Sequence, residues 1–218
     1  MADTIYAIGD IHGRDDCLER LHHEISKDAL ERPGEKLLVY VGDYVDRGPD
    51  SADVVDRVMS GPPEGIDRQV ALLGNHEELM INHYSRNDTM KIWLLNGGDK
   101  TRASYGTDRE RLERHLDWMV ELPLYHQEGR YLFVHAGIVP GRALDKQRPQ
   151  DLLWIRDKFL QDTRDHGFVV VHGHTPIPGR PEVKRNRINT DTLAFQTGRL
   201  CCAVLAPDDL LGFLWGEA

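Results

Sequence analysis

Five short segments of this chain share one design: an apolar run that opens into a glycine and one or more Asp, Asn or His residues. The run Lys36-Leu37-Leu38-Val39-Tyr40-Val41 leads into Gly42-Asp43-Tyr44-Val45-Asp46-Arg47-Gly48, which carries two carboxylates and a guanidinium. Ile5-Tyr6-Ala7-Ile8 leads into Gly9-Asp10-Ile11-His12-Gly13, and Val70-Ala71-Leu72-Leu73 into Gly74-Asn75-His76-Glu77. Tyr131-Leu132-Phe133-Val134 leads into His135-Ala136-Gly137, and Phe168-Val169-Val170-Val171 into His172-Gly173-His174-Thr175. Taken alone, the central stretch could be a turn closed by an Asp46–Arg47 pair. Five such segments together point to strands that deliver ligands at their carboxyl ends, as open α/β sheets do.

The residue types suggest a two-metal site. Asp10 and His12 are alternate residues, so on an extended segment both project the same way and can grip one ion. Asp43 could reach that ion and bridge to a second, which Asn75, His135 and His174 would complete. Mixed oxygen and nitrogen donors suit Mn, Fe or Zn better than Mg or Ca. Two divalent ions, two carboxylates and a bridging hydroxide sum to about +1, so a pocket that also holds Arg47 favours a phosphate ester. His76, beside Asn75 but not needed as a ligand, is the natural proton donor to a leaving alkoxide. Asp46 can orient that imidazole, while Arg47 and Arg156 offer forked donors to phosphoryl oxygens.

These loops must be carried by a sheet. Residues 14–32 read as an amphipathic helix with Cys17, Leu18, Leu21, Ile25 and Leu30 roughly on one face, closed by Pro33-Gly34. Pro49-Asp50-Ser51 opens a second helix, buried through Val54, Val55, Val58 and Met59 and stopped by Gly61-Pro62-Pro63. This β-α-β-α-β order predicts a parallel sheet with right-handed crossovers. The 77–105 segment is helical in pattern, interrupted by Asn96-Gly97-Gly98-Asp99, and 107–122 forms another helix. The insertion is expected to cap one side of the site. A short helix is expected around 151–156. Short apolar runs at 187–189, 200–205 and 210–214 predict antiparallel strands that form a second sheet. The expected fold is α/β: two sheets face to face with helices outside, in one catalytic domain spanning 1–218.

A 218-residue chain with 40% hydrophobic and 29% charged residues can bury a sizeable core. No apolar run approaches the ~20 residues that span a bilayer. The N-terminus has no signal-like stretch, so cytoplasmic residence is the expectation. A net charge of -9 argues against nucleic acid as a partner. Cys17, Cys201 and Cys202 have no metal-type spacing and read as reduced structural thiols.

With the five motifs in this order, the chain resembles the phosphoprotein-phosphatase branch of the calcineurin-like metallophosphoesterases, in particular the compact bacterial and phage-type serine/threonine phosphatases. The resemblance covers residues 5–205. It implies a dinuclear centre, often Mn-activated, and hydrolysis by hydroxide held on it. Carried over residue by residue, it implies Asp10, His12 and Asp43 at one metal and Asp43, Asn75, His135 and His174 at the other, with Arg156 as the second phosphate-binding arginine. Family members often have glycine after the Asp191-Thr192 pair, where this chain has Leu193.

Blander roles fit other residues. His172 reads as a hydrogen-bonded structural histidine, and Glu77 as a helix N-terminal acid favoured by the macrodipole. Trp93, Trp118, Trp154 and Trp215 read as core, with Trp154 able to position Arg156. Asp99, Lys100 and Arg102 read as a solvated loop. The expected activity is serine/threonine protein phosphatase, acting on a phosphoprotein or a small phosphate ester. The rivals are a symmetrical diadenosine-tetraphosphate hydrolase and a catalytically silent phosphoprotein-binding module. Asp46 favours the phosphatase, since the rival hydrolases usually lack an acid there.

Overall fold

The computed structural model describes residues 1–86 and 90–218. The chain opens with β1 (Thr4–Ile8), α1 (Asp15–Glu31), β2 (Lys36–Tyr40), α2 (Ser51–Met59) and β3 (Arg68–Ala71). The helical insertion follows as α3 (Asn75–Arg86), α4 (Met90–Trp93), a π-helical turn (Leu94–Gly98), α5 (Asp99–Tyr105) and α6 (Arg109–Val120). Then come β4 (Tyr125–Glu128), β5 (Tyr131–Val134), α7 (Pro149–Trp154), α8 (Asp157–Leu160), β6 (Val169–His172), β7 (Glu182–Val183) and β8 (Arg187–Asn189). The short α9 (Ala194–Thr197) and the strands β9 (Arg199–Leu205) and β10 (Leu210–Glu217) complete the order.

Two five-stranded sheets result, ordered β10-β9-β1-β2-β3 and β4-β5-β6-β8-β7. Their strands alternate as a period of two demands. Ile5, Ala7, Leu37 and Val39 pack with Phe133, Val171 and Ile188 of the other sheet. Their neighbours Tyr6, Ile8, Leu38 and Tyr40 face Leu18, Leu21, Val55 and Val58 of α1 and α2. On the far side, Leu132, Val134 and Val170 meet Leu152 of α7 and Phe159 of α8. Burial on both faces explains why these strands read as continuous apolar runs.

The two-sheet α/β architecture is as expected, but the C-terminal strands go elsewhere. β9 and β10 extend the first sheet, with β9 antiparallel to β1. The second sheet is built on parallel β5, β6 and β8 and edged by antiparallel β4 and β7. The apolar runs at 200–205 and 210–214 carried no information on which sheet they would join, since both offer an apolar face. Asp99, Lys100 and Arg102 are exposed as expected, yet they lie on α5 and not in a loop.

Candidate metal centre and phosphate site

The five glycine-bearing segments converge where the carboxyl ends of the two sheets meet. Asp43 stands at the middle. Its Oδ2 lies 3.5 Å from His12 Nε2 and 4.0 Å from His76 Nε2, and its Oδ1 lies 3.4 Å from His135 Nε2. Asn75 Oδ1 is 2.7 Å from His135 Nε2 and 2.8 Å from His174 Nδ1. Among the described residues, two sets have all their ligand atoms within 4.8 Å of one another: His12, Asp43 and His76, and Asp43, His135 and His174. Asp43 is common to both, as a bridging ligand would be.

Asp10 belongs to neither set. Its Oδ2 accepts the backbone N–H of His174 at 3.0 Å, and its buried Oδ1 has no hydrogen-bond partner. The backbone is not extended at His12 as the sequence suggested. His12 has φ 48°, so the chain turns there, and Asp10 reaches the centre through its contact with the His174 backbone.

The donor set fits divalent ions. His135 Nδ1 donates to the Val41 carbonyl at 3.0 Å and His12 Nδ1 to the Val45 carbonyl at 2.8 Å. Those bonds fix the tautomers and leave each Nε2 as a lone pair aimed inward. Asn75 Oδ1 is another lone-pair atom against His135 Nε2, a repulsive meeting that a cation turns into ligation. The unpartnered Asp10 Oδ1 is a third such donor. Burial holds the His12 and His135 imidazoles below their usual range and that of His174 down to about 2, so they stay neutral as metal ligation requires. Burial works to raise the Asp43 carboxyl, but the surrounding histidines outweigh it and hold it low.

Backbone strain marks the same place. Outside glycine, the described residues with positive φ are His12, Asp43, Asp46, Arg47, His174 and Leu193. All but Leu193 are candidate site residues. Each such conformation costs about 1–3 kcal/mol and persists only where its surroundings enforce it.

At Asp43 that enforcement comes from Glu77, a role its position at a helix start did not disclose. The fully buried carboxylate accepts N–H from Asp43 and Gly74 at Oε2 (2.9 and 3.1 Å) and from Tyr44 and Val45 at Oε1 (2.8 and 3.1 Å). It thus staples the Asp43 loop to the Asn75 loop. Burial and the charge of Asp43 raise its carboxyl to about 8, against which the four donors favour the anion. A capping-box contact to Gly74 was readable locally, but the three bonds to the β2 loop were not. Gly74 is obligatory here, because a Cβ would strike Asp43 and Glu77.

On the other side of Asp43, His76 Nδ1 sits 2.6 Å from Asp46 Oδ2, with both side chains buried. Burial opposes the imidazolium, yet the Asp43 charge and the Asp46 bond outweigh it and raise the His76 pKa. Arg47 spans the two histidines, donating from Nη1 to His12 Nε2 at 2.9 Å and from Nη2 to His76 Nε2 at 3.0 Å. Both contacts must open before those nitrogens serve a metal or carry a proton. Arg156 is exposed at the start of α8, close enough for its charge to be felt by His135 and His174. Trp154 lies edge-on to His174 at 6.0 Å and donates to Glu78 at 2.7 Å.

A profile of the family described as "Calcineurin-like phosphoesterase" matches residues 4–201. The chain belongs to that family. It is a metal-dependent phosphoesterase by membership, in a family whose members use a dinuclear metal centre. Over 213 residues this phosphoesterase is 29% identical to "Serine/threonine-protein phosphatase 1" of Salmonella typhimurium (strain LT2), covering 91% of this chain and 90% of that protein. Over 212 residues it is 36% identical to "Bis(5'-nucleosyl)-tetraphosphatase, symmetrical" of Acidovorax sp. (strain JS42), covering 91% of this chain but 66% of that one. The crystal structure of a metallophosphoesterase from Sphaerobacter thermophilus shares its fold, with a TM-score of 0.59 at 21% identity over 100% of this chain and 88% of the other.

Two remaining expectations bear on the rim of the phosphoesterase site. His172 is buried, with Nδ1 donating to the Gly173 carbonyl at 3.0 Å and the ring edge-on to Phe159. Leu193 keeps the left-handed turn that glycine would adopt, at φ 59° and ψ 45°. Its N–H donates to Asp191 Oδ1, and α9 then sets Phe195 5.2 Å from the Arg47 guanidinium.

Proposed function

We propose that this chain is a serine/threonine protein phosphatase that hydrolyses phosphomonoesters directly, as one catalytic unit over residues 1–218. The observation that carries this reading is the buried 2.6 Å contact between His76 Nδ1 and Asp46 Oδ2. A serine or threonine alkoxide is a poor leaving group and needs a proton, whereas a nucleotide phosphate leaves without one. His76 is the general acid, and Asp46 orients it. Arg47 and Arg156 bind the phosphoryl oxygens. When Arg47 moves onto a phosphoryl group, it releases His76 Nε2 to hold the proton that the leaving oxygen takes.

Asp10, His12 and Asp43 would hold one ion, and Asp43, Asn75, His135 and His174 the other, with Mn favoured and Fe or Zn alternatives. When bound, the ions neutralise phosphoryl charge and lower the pKa of an attacking water. The proposed phosphatase acts on phosphoproteins in the cytoplasm; no helix among the described residues is long and apolar enough to cross a membrane.

The second reading, a symmetrical diadenosine-tetraphosphate hydrolase, is favoured by the name of the Acidovorax relative. Against it, the chain spans 90% of the Salmonella phosphatase and 66% of the Acidovorax protein. The test is phosphate release by metal-stripped protein after adding back Mn, Mg, Zn or Ca, with a phosphoserine peptide and diadenosine tetraphosphate side by side. Mn-restored turnover of the peptide alone is the expected result. Turnover of the dinucleotide alone would overturn the phosphatase reading.

A further inference from the structure

Asp46 and Arg47 are adjacent non-glycine residues that both adopt left-handed backbone, at φ 73° and 69°. Two strained residues in succession need external support. Ser51 Oγ of α2 accepts the Asp46 N–H at 3.1 Å, and the rest of that support comes from one stretch of the helical insertion. Thr101 Oγ1 accepts the backbone N–H of Asp46 at 2.8 Å and donates to Asp46 Oδ1 at 2.6 Å. Trp93 Nε1 donates to Asp46 Oδ1 and Oδ2 at 3.0 and 3.1 Å. The Gly97 carbonyl accepts the Arg47 N–H at 3.3 Å.

The π-helical turn makes this convergence possible. Gly97, at φ 102°, lies so close that a Cβ there would come within 2.6 Å of Arg47 N. The wide turn lets Trp93 before it and Thr101 after it aim at the same carboxylate. Trp93 and Thr101 are both 0% exposed. Thr101 holds Oδ1, Trp93 Nε1 bridges both oxygens, and Oδ2 is turned to His76, so the carboxylate has one rotation to offer.

We propose that Trp93 and Thr101 are positioning residues for the proton-transfer step. They fix Asp46, Asp46 fixes the His76 ring, and His76 Nε2 is thereby aimed at the leaving oxygen. The inference rests on the reading of His76 as general acid. It makes the insertion part of the machinery and not only a cover over it.

The experiment compares Trp93→Phe, Thr101→Val and His76→Asn on an alkyl phosphate monoester and on a nitrophenyl phosphate, in Mn-loaded protein, with bound metal measured in each. Trp93→Phe keeps the ring and removes the N–H; Thr101→Val keeps the shape and removes the hydroxyl. Losing hydrogen bonds to a buried carboxylate is expected to lower kcat on the alkyl ester about tenfold. The aryl ester should lose much less, and bound metal should not change. In an Asp46→Asn background, Thr101→Val should add little, since the two then act through one group. Equal losses on both esters with His76→Asn unequal, or loss of metal in Thr101→Val, would overturn the positioning role. Equal losses with His76→Asn itself would instead overturn the general-acid reading. If Trp93→Phe does not fold, Thr101→Val decides the matter alone.

Discussion

Asp43, Asn75, His135 and His174 are oriented largely by backbone: Glu77 grips four main-chain N–H groups around them, and the Val41 carbonyl sets the His135 tautomer. Asp46 and His76, a few ångströms away, are oriented by side chains, those of Trp93, Thr101 and Ser51. The ligand cradle is thus set at the main chain of the strand-end loops, with Glu77 as the clamp. A carboxylate pinned by an indole and a hydroxyl can be retuned by single substitutions. If His76 is the general acid proposed above, the fold sets the ligand cradle and the insertion sets how well that acid is aimed.

Asp43→Asn removes the carboxylate shared by both clusters. Metal content should fall and activity drop by at least about 10³-fold on every ester, in line with several kcal/mol of metal-derived stabilisation. Full metal occupancy with normal rates would refute a central role for Asp43. His76→Asn touches only the side-chain half. Alkyl-ester turnover should fall about 10²-fold, aryl esters far less, with both ions retained; metal analysis beside the two assays checks this.

Glu77→Gln tests the backbone half without touching a ligand. An amide can accept at one of its two polar atoms only, so two N–H groups lose their acceptor. Stability should fall by about 3 kcal/mol, or Tm by about 6–12 °C, and metal affinity should weaken with it. An unchanged Tm would show that the loops hold themselves. Leu193→Gly should have the smallest effect. It relieves a left-handed leucine worth about 1–2 kcal/mol and gives up partial burial and chain stiffness, leaving Tm within a few degrees of the parent. A fall of 10 °C or more on thermal unfolding would mean that Leu193 packing, not its turn, matters.

Much of this protein was determined by sequence alone. The continuous apolar strand runs, the helix that buries Cys17, Leu18, Leu21 and Ile25 (Leu30, read on the same face, is exposed), and the glycine-bracketed clusters of Asp, Asn and His are local patterns, and local patterns follow from backbone sterics and side-chain periodicity. They were enough for the α/β two-sheet fold and for a site at the strand ends. Tertiary structure decided the rest. Which sheet took β9 and β10 depended on partners far along the chain, as the pairing of Ile5 with Leu205 shows. Glu77 looked like an ordinary helix-start acid because its other N–H partners lie in the β2 loop. Trp93 read as core, and it is buried, but its indole N–H found Asp46 only because a π-helical turn folds the insertion back onto β2's loop. A hydrogen bond between distant segments leaves no periodicity in the sequence; it exists only once the chain has closed on itself.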